Sequence, residues 1–384
     1  MDKAKGNANR KLADLFLGRA NTFPVGGDIG RQQDIAFSYL FFSDVRTNVS
    51  NREKYAFARD LVTFADQTGF EAVYFPERHF GTFGSIYANN ATMAAYFAPI
   101  TKHVRLRSAA VTASLHHPAD IVESWAMVDN LSDGRVDLGF GSGWEKKDFI
   151  LSPDTYDNRV QIRDERIPII QDLWRGNEVV FPGPGGTQIP ICIQPRPIQP
   201  ELNVWYVTTS RRGFEYAGSK GYNVFTMLSG IDLNELGKHI GAYRAARTDA
   251  GLNPESGTVS LMMHTLVHPD TEWVEHAVSA PFRDYIRTSL APHLRAMGKS
   301  PTEEEAERIV DYSFTRYFKT GGLFGPFADC CKQVDKAISV GVNEIAFLQD
   351  FGVEYSDVIS SLGYLEQLVD FYRLHANKRA EAIS

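Results

Sequence analysis

Four consecutive residues, Glu77-Arg78-His79-Phe80, put a carboxylate, a guanidinium, an imidazole and an aromatic ring at the end of the apolar run "AVYF". An imidazole beside a carboxylate can hold or move a proton near neutral pH, and a guanidinium can steady negative charge. The same residues also fit a bland reading, in which Glu77 and Arg78 pair with each other and His79 is structural. A second group, Thr208-Thr209-Ser210-Arg211-Arg212-Gly213, lies between a strand pattern and a helix pattern. A hydroxyl at a helix N-cap, with free backbone N–H groups behind it, makes an anion site. The arginines add charge and Gly213 permits close approach; an ordinary capped helix with solvated arginines reads equally well. A third group, "GFGSGWEKKDF", carries Ser142, Trp144 and Asp148 after a glycine-rich strand end. Such a stretch suits a flat ring lying on backbone, or simply a tight turn. Ser108, Ala109 and Ala110 leave room at another strand end. His116 and His117 precede Pro118 and read as helix-entry residues, and His264 lies within a strand pattern with its direction open.

The elements that must position these groups follow from periodicity. Eight short runs, "IAFSYLF", "AVYF", "VRLRSAAV", "RVDLGFGS", "VWYVTT", "NVFTML", "TVSLMMHTLV" and "EIAFLQ", are almost continuously apolar or small, as in strands buried on both faces. Helical patterns separate them. In one, Phe57, Leu61, Phe64 and Ala65 share a face, with Ser50 and Glu53 as a capping box and Gly69 as the stop. In another, Val358, Leu362, Leu365, Val369 and Tyr372 form the stripe. Eight strands alternating with helices predict an α/β fold, a (β/α)8 TIM barrel. An open doubly wound sheet is the rival, but its G-x-G-x-x-G turn is missing. Residues 1–33 read as an N-terminal arm and 34–384 as one barrel domain. Long insertions are expected after strand 4, about residues 146–203, and after strand 7, about residues 269–342. In this fold the chemistry belongs at the C-terminal ends of the strands, where all three groups fall.

Composition narrows the classes. The chain has 384 residues, of which 43% are hydrophobic and 23% charged, as expected for a large globular core. The net charge of -7 comes without a basic stripe, so nucleic acid is not an expected partner. No apolar run reaches the roughly 18 residues of a membrane span, and the N-terminus lacks a signal-peptide segment, so a cytoplasmic location is expected. Three cysteines, Cys192, Cys330 and Cys331, have neither disulfide-framework nor metal-ligand spacing, and no metal site is expected.

Taken in order, "PERHFGTFG", "LRSAAVTASLHHP", "DNLSDGRVDLGFGSGWEKKDF" and "TTSRRGFEYAGSKG" resemble the bacterial luciferase-like flavin monooxygenases, from about Ile35 to Leu374. "ERHF", "FGSGW", "RPIQPELNVWYVT", "LMMHTLVH" and "TGGLFG" are similar to the branch found in natural-product biosynthesis beside peptide- and polyketide-synthase modules. The resemblance implies a barrel that takes reduced FMN from a separate flavin reductase and uses O2 to oxygenate an organic substrate. By the same resemblance Ser210 and the following backbone hold the FMN phosphate, helped by Arg211 and flanked by Thr208, Thr209 and Gly213. Ala109 and Ala110 lie under the flavin ring, joined by a non-proline cis peptide, and Ser142 and Trp144 line the pocket. Arg78, His79 and Asp148 are the catalytic candidates.

The chain also departs from the luciferase pattern. Luciferases carry two histidines after the glutamate, and Arg78 replaces the first of them. Ser142 stands where they have a phosphate-binding arginine. Arg78 therefore fits an enzyme that steadies charge on reacting oxygen or on an anionic substrate, and light emission from an aldehyde is not expected. The aromatic residues around it would exclude water, and the insertion holding "TGGLFGPF" would be a movable cover. A homodimer follows from family habit; Ile121, Trp125 and Val128 share a face that is either its interface or packed on the chain's own barrel. The substrate would be a free or carrier-protein-bound intermediate. Two other readings stay open: a deazaflavin-dependent oxidoreductase moving hydride, and a non-catalytic flavin-binding subunit. Subunits of the latter kind tend to lose part of the barrel, whereas all eight strand patterns are kept here.

Overall fold

The computed structural model describes residues 35–42, 45–84, 86–296 and 302–383. The arm expected over 1–33 lies outside them. Eight strands form the barrel: β1 (Ala36–Leu40), β2 (Ala72–Phe75), β3 (Arg105–Ser108), β4 (Val136–Gly141), β5 (Val204–Val207), β6 (Asn223–Met227), β7 (Val259–Val267) and β8 (Glu344–Leu348). Each pairs in parallel with the next, and the ladder from Ala36↔Glu344 to Leu40↔Leu348 closes β8 onto β1. The helices are α1 (Asn51–Gln67), α2 (Asn90–Phe97), α3 (Pro118–Leu131), α4 (Arg159–Arg175), α5 (Arg211–Lys220), α6 (Leu233–Asp249), α7 (Thr271–Ala296), α8 (Glu303–Arg316), α9 (Phe327–Ser339) and α10 (Tyr355–Ile383).

Local signals explain why these elements start and stop where they do. Ser50 and Glu53 make the reciprocal capping box of α1, and Gly69 follows its end at φ +71°. Phe57, Leu61 and Ala65 on α1, and Val358, Leu365 and Val369 on α10, are buried against the strands. The α3 face of Ile121, Trp125 and Val128 is buried in the same core, so the chain's own barrel consumes it.

Both insertions are present. The one after β4 holds α4 and an antiparallel hairpin, Val179–Pro182 with Gln188–Ile191. The one after β7 holds α7, α8, a short strand Leu323–Gly325, and α9. That short strand differs from the expected cover. It pairs in parallel with the end of β7 (Thr265↔Leu323 to Val267↔Gly325) and is buried. Ladder hydrogen bonds and buried side chains pin "TGGLFG" to the barrel at this point.

A charged layer crosses the N-terminal half of the barrel. Arg107 on β3 donates to Asp137 on β4, and to Tyr74 and Glu344. Glu344 also accepts from Ser260 on β7 at 2.8 Å. All these side chains are buried, so each charge depends on its partners. The layer leaves the opposite, C-terminal rim to the candidate residues. Among the described residues no helix is long and apolar enough to cross a membrane.

Candidate active site

Glu77 lies just past β2 and its carboxylate is buried. Oε1 accepts from His79 Nε2 at 2.9 Å and from His116 Nε2, while Oε2 accepts the Thr112 amide at 2.8 Å. Burial alone would raise this carboxyl. The hydrogen bonds from the two imidazoles outweigh it and hold the group below its ordinary range. His116 experiences the converse: burial pushes it down, but the bond to Glu77 and the charge of Glu77 carry it above the usual imidazole value. His117 does what helix entry predicts, accepting the Ala119 amide as the N-cap of α3. His116 does not, and sequence reasoning missed it: nothing in "LHHP" says which histidine turns inward. The three ligand atoms of Glu77, His79 and His116 lie within 4.8 Å of one another, a donor set that also suits a divalent cation. Because Oε1 already accepts from both imidazoles, hydrogen bonding accounts for the convergence.

Arg78 does not pair with Glu77. Its guanidinium lies over Phe42 at 4.4 Å and over Phe83 and Trp144 at 5.1 Å each. Its Nε is buried without a hydrogen-bond partner, and no acceptor for the side chain occurs among the described residues. Burial lowers its pKa to about 10, although Tyr285, Asp148 and Glu145 act the other way. Gly84, at φ +71°, makes room for it: a Cβ there would meet Arg78 Cγ at 2.7 Å. Asp148 stands on a 3-10 turn, Lys146–Leu151, and its Oδ1 is buried with no partner. Burial raises its carboxyl to about 6, and nearby His79 and Arg78 pull the other way. Arg78, His79 and Asp148 thus come together from the β2 and β4 ends.

The small residues sit beside them. Ser108 Oγ donates to the Gly139 carbonyl at 3.0 Å and accepts its amide at 2.9 Å. A Cβ on Gly139 would fall 2.3 Å from the Ser108 carbonyl oxygen, so glycine here lets β3 and β4 approach. The Ala109–Ala110 peptide is cis, and Asn90 Nδ2 donates to the Ala110 carbonyl at 3.2 Å. Ser142 and Trp144 are half-buried at the end of β4.

The next strand end carries the anion-type turn. Ser210 caps α5, its Oγ accepting the Gly213 amide at 3.2 Å, and Thr208 Oγ1 accepts the Ser210 amide at 3.2 Å. A Cβ on Gly213 would lie 2.0 Å from Thr208 Oγ1, which is why the helix needs glycine there. Thr209 is half-buried. Arg211 Nε donates to Glu215 at 2.9 Å, so its guanidinium lies along the helix flank.

His264 turns toward the insertion after β7. Its ring packs against Phe282, Tyr285, Tyr317 and Phe351 at centroid distances of 4.6–5.5 Å. Neither ring nitrogen has a partner, and burial drops its pKa to about 3. Tyr285 also touches Phe83 at 5.5 Å, so this cage and the rings around Arg78 share a wall.

Comparison with known proteins agrees with this architecture. The profile of the family described as Luciferase-like monooxygenase matches residues 35–336. The chain is 27% identical over 241 residues to the oxygenase component of the flavin-dependent trigonelline monooxygenase of Acinetobacter baylyi, covering 61% of this chain. That match spans 65% of the relative, less than two thirds of its length. An alkanal monooxygenase beta chain of Photorhabdus luminescens is 27% identical over 270 residues, covering 67% of this chain and 78% of that one. Among solved structures, the monooxygenase RslO1 of Streptomyces bottropensis superposes with a TM-score of 0.72 at 21% identity, covering 87% of this chain and 98% of that one. The oxygenating constituent of 3,6-diketocamphane monooxygenase from Pseudomonas putida, solved with FMN, has a TM-score of 0.70 at 15% identity, covering 88% and 97%. At such identities the two structures speak for the fold alone.

Proposed function

The chain belongs to the luciferase-like monooxygenase family, and from that premise we propose that it is the oxygenase of a two-component system, using reduced FMN from a separate reductase. Its substrate is an organic intermediate of natural-product biosynthesis, free or held on a carrier protein. A cytoplasmic homodimer is the form in which it works.

The residues at the rim fit the nucleotide. Ser210, Thr208, Thr209 and the first amides of α5 form a helix-terminus cradle for a phosphate, and Gly213 keeps that turn tight. Ala109, Ala110, Ser142 and Trp144 offer a surface of small residues and one ring for a flat cofactor. Bound reduced FMN supplies the electrons that activate O2. The chain supplies the surroundings. Arg78 holds a positive charge where negative charge develops on oxygen or substrate, and Phe42, Phe83 and Trp144 keep water from it. Glu77 fixes His79 through Nε2, which orients the ring for proton transfer at Nδ1. Asp148, with its carboxyl near 6, can carry a proton at mildly acidic pH.

The observation that carries this reading is the pair of unpartnered polar groups, Arg78 Nε and Asp148 Oδ1, at the rim beside the small-residue strand ends. The test is anaerobic titration with reduced FMN, then admission of O2 with uptake and product followed together. Saturable binding and substrate-coupled uptake are expected, and Arg78→Ala and His79→Ala should each uncouple uptake from product. Reduced deazaflavin is the control: if it binds, turns over without O2, and FMN does not bind, hydride transfer replaces oxygenation as the reading.

A further inference from the structure

Resting on the reading above, we infer that the substrate is a planar organic acid whose carboxylate is gripped by Arg78 and whose ring lies against Phe83, Trp144 and Tyr285. Among the described residues, Arg78 is a charged group at this rim that three rings surround and no carboxylate pairs with. Three rings touch it through cation–π contacts. They do not replace the hydrogen bonds that a guanidinium loses on leaving water, and Nε has none. The nearby carboxylates do not fill the gap. Glu77 is committed to His79, His116 and the Thr112 amide. Arg78 and Asp148 are close enough to feel each other's charge, yet no hydrogen bond joins them and Asp148 Oδ1 stays unpartnered. The residue as a whole is half-buried, with Nε itself enclosed.

The chemistry of the guanidinium favours a carboxylate. A guanidinium presents a planar fork that matches carboxylate oxygens in pairs. A phosphate has its own place at the α5 terminus, built from hydroxyls and amides on a different strand end. The flat walls around Arg78 select the remainder of the ligand: Phe42 and Phe83 meet edge to face at 5.4 Å, and Tyr285 continues the surface. Rings stack on such walls better than saturated bodies do. A thioester has spent its carboxylate, so a carrier-bound substrate would need a second acid group.

The probe is benzoate, measured by calorimetry and by quenching of tryptophan fluorescence on the full chain with and without FMN. Benzoate should bind at least ten-fold tighter than benzamide, its neutral isostere, and at least ten-fold tighter than cyclohexanecarboxylate. Arg78→Met should lose the preference for the acid, while Arg78→Lys keeps part of it. Equal binding of benzoate and benzamide by the unaltered protein, or no binding of either in the millimolar range, overturns the inference without relying on any variant's folding. A preference that survives in Arg78→Met overturns it too. Benzoate binding without flavin is independent of oxygen chemistry: if FMN fails to bind and the acid preference stands, the monooxygenase reading falls and the acid subsite remains.

Discussion

Lowering the pH should destabilise this protein through His264 in a way that one substitution removes. The imidazole is buried, and Phe282, Tyr285, Tyr317 and Phe351 face it from α7, the turn after α8 and the end of β8. The two phenols are uncharged in the acidic range, and no carboxylate among the described residues bonds the ring. Its folded pKa is therefore depressed from 6.5 to about 3 by burial alone. The unfolded chain takes up a proton as pH falls through 6.5, and the folded chain does not. Stability from this group is thus complete above about pH 7 and declines as pH falls toward 3. Between pH 8 and pH 5 the difference amounts to about 2 kcal/mol. Urea denaturation at both pH values, on the unaltered chain and on His264→Leu, isolates it, because every other titrating group is common to the two proteins. The leucine variant should decline by about 2 kcal/mol less over this interval. At pH 8 it should be at least as stable, since two buried nitrogens without partners are gone, each costing about 1–3 kcal/mol. Equal declines in the two proteins would refute the reasoning.

Four further outcomes are expected. Arg107→Met leaves Glu344 a buried carboxylate without a cation, while Asp137 keeps Arg105, and should cost about 3–5 kcal/mol in urea denaturation. Ser210→Ala removes the cap of α5, worth about 1 kcal/mol, and should weaken FMN binding measured by fluorescence more than it slows turnover. Glu77→Gln loosens both imidazoles and should lower coupled turnover by about two orders of magnitude, with FMN affinity little changed. Because burial holds Asp148 near 6, it ionises as pH rises through that value and then competes with an acid for Arg78. Benzoate affinity should therefore fall across pH 5–7 in the unaltered chain and stay level in Asp148→Asn.

Much of the framework was legible in residue order because it rests on local rules. Strands buried on both faces need unbroken apolar runs, so all eight could be marked from "IAFSYLF" to "EIAFLQ" and all eight form. The capping box of Ser50 and Glu53 and the cap at Ser210 involve neighbours three residues apart, and both appear as read. The chemistry at the rim was legible only as a set of residue types. Glu77 meets His116 across 39 positions, and that meeting depends on how the loops after β2 and β3 leave the closed barrel. Closure also brought Arg78 among three rings with no acceptor among the described residues, aimed His264 into the insertion after β7, and paired Leu323–Gly325 with β7 in place of a loose cover. Local sequence determines which segments extend, coil or cap, because those preferences act over a few bonds. Which charges find partners and which do not was decided by the tertiary structure, because burial and the facing of strand ends exist only once the cylinder has closed.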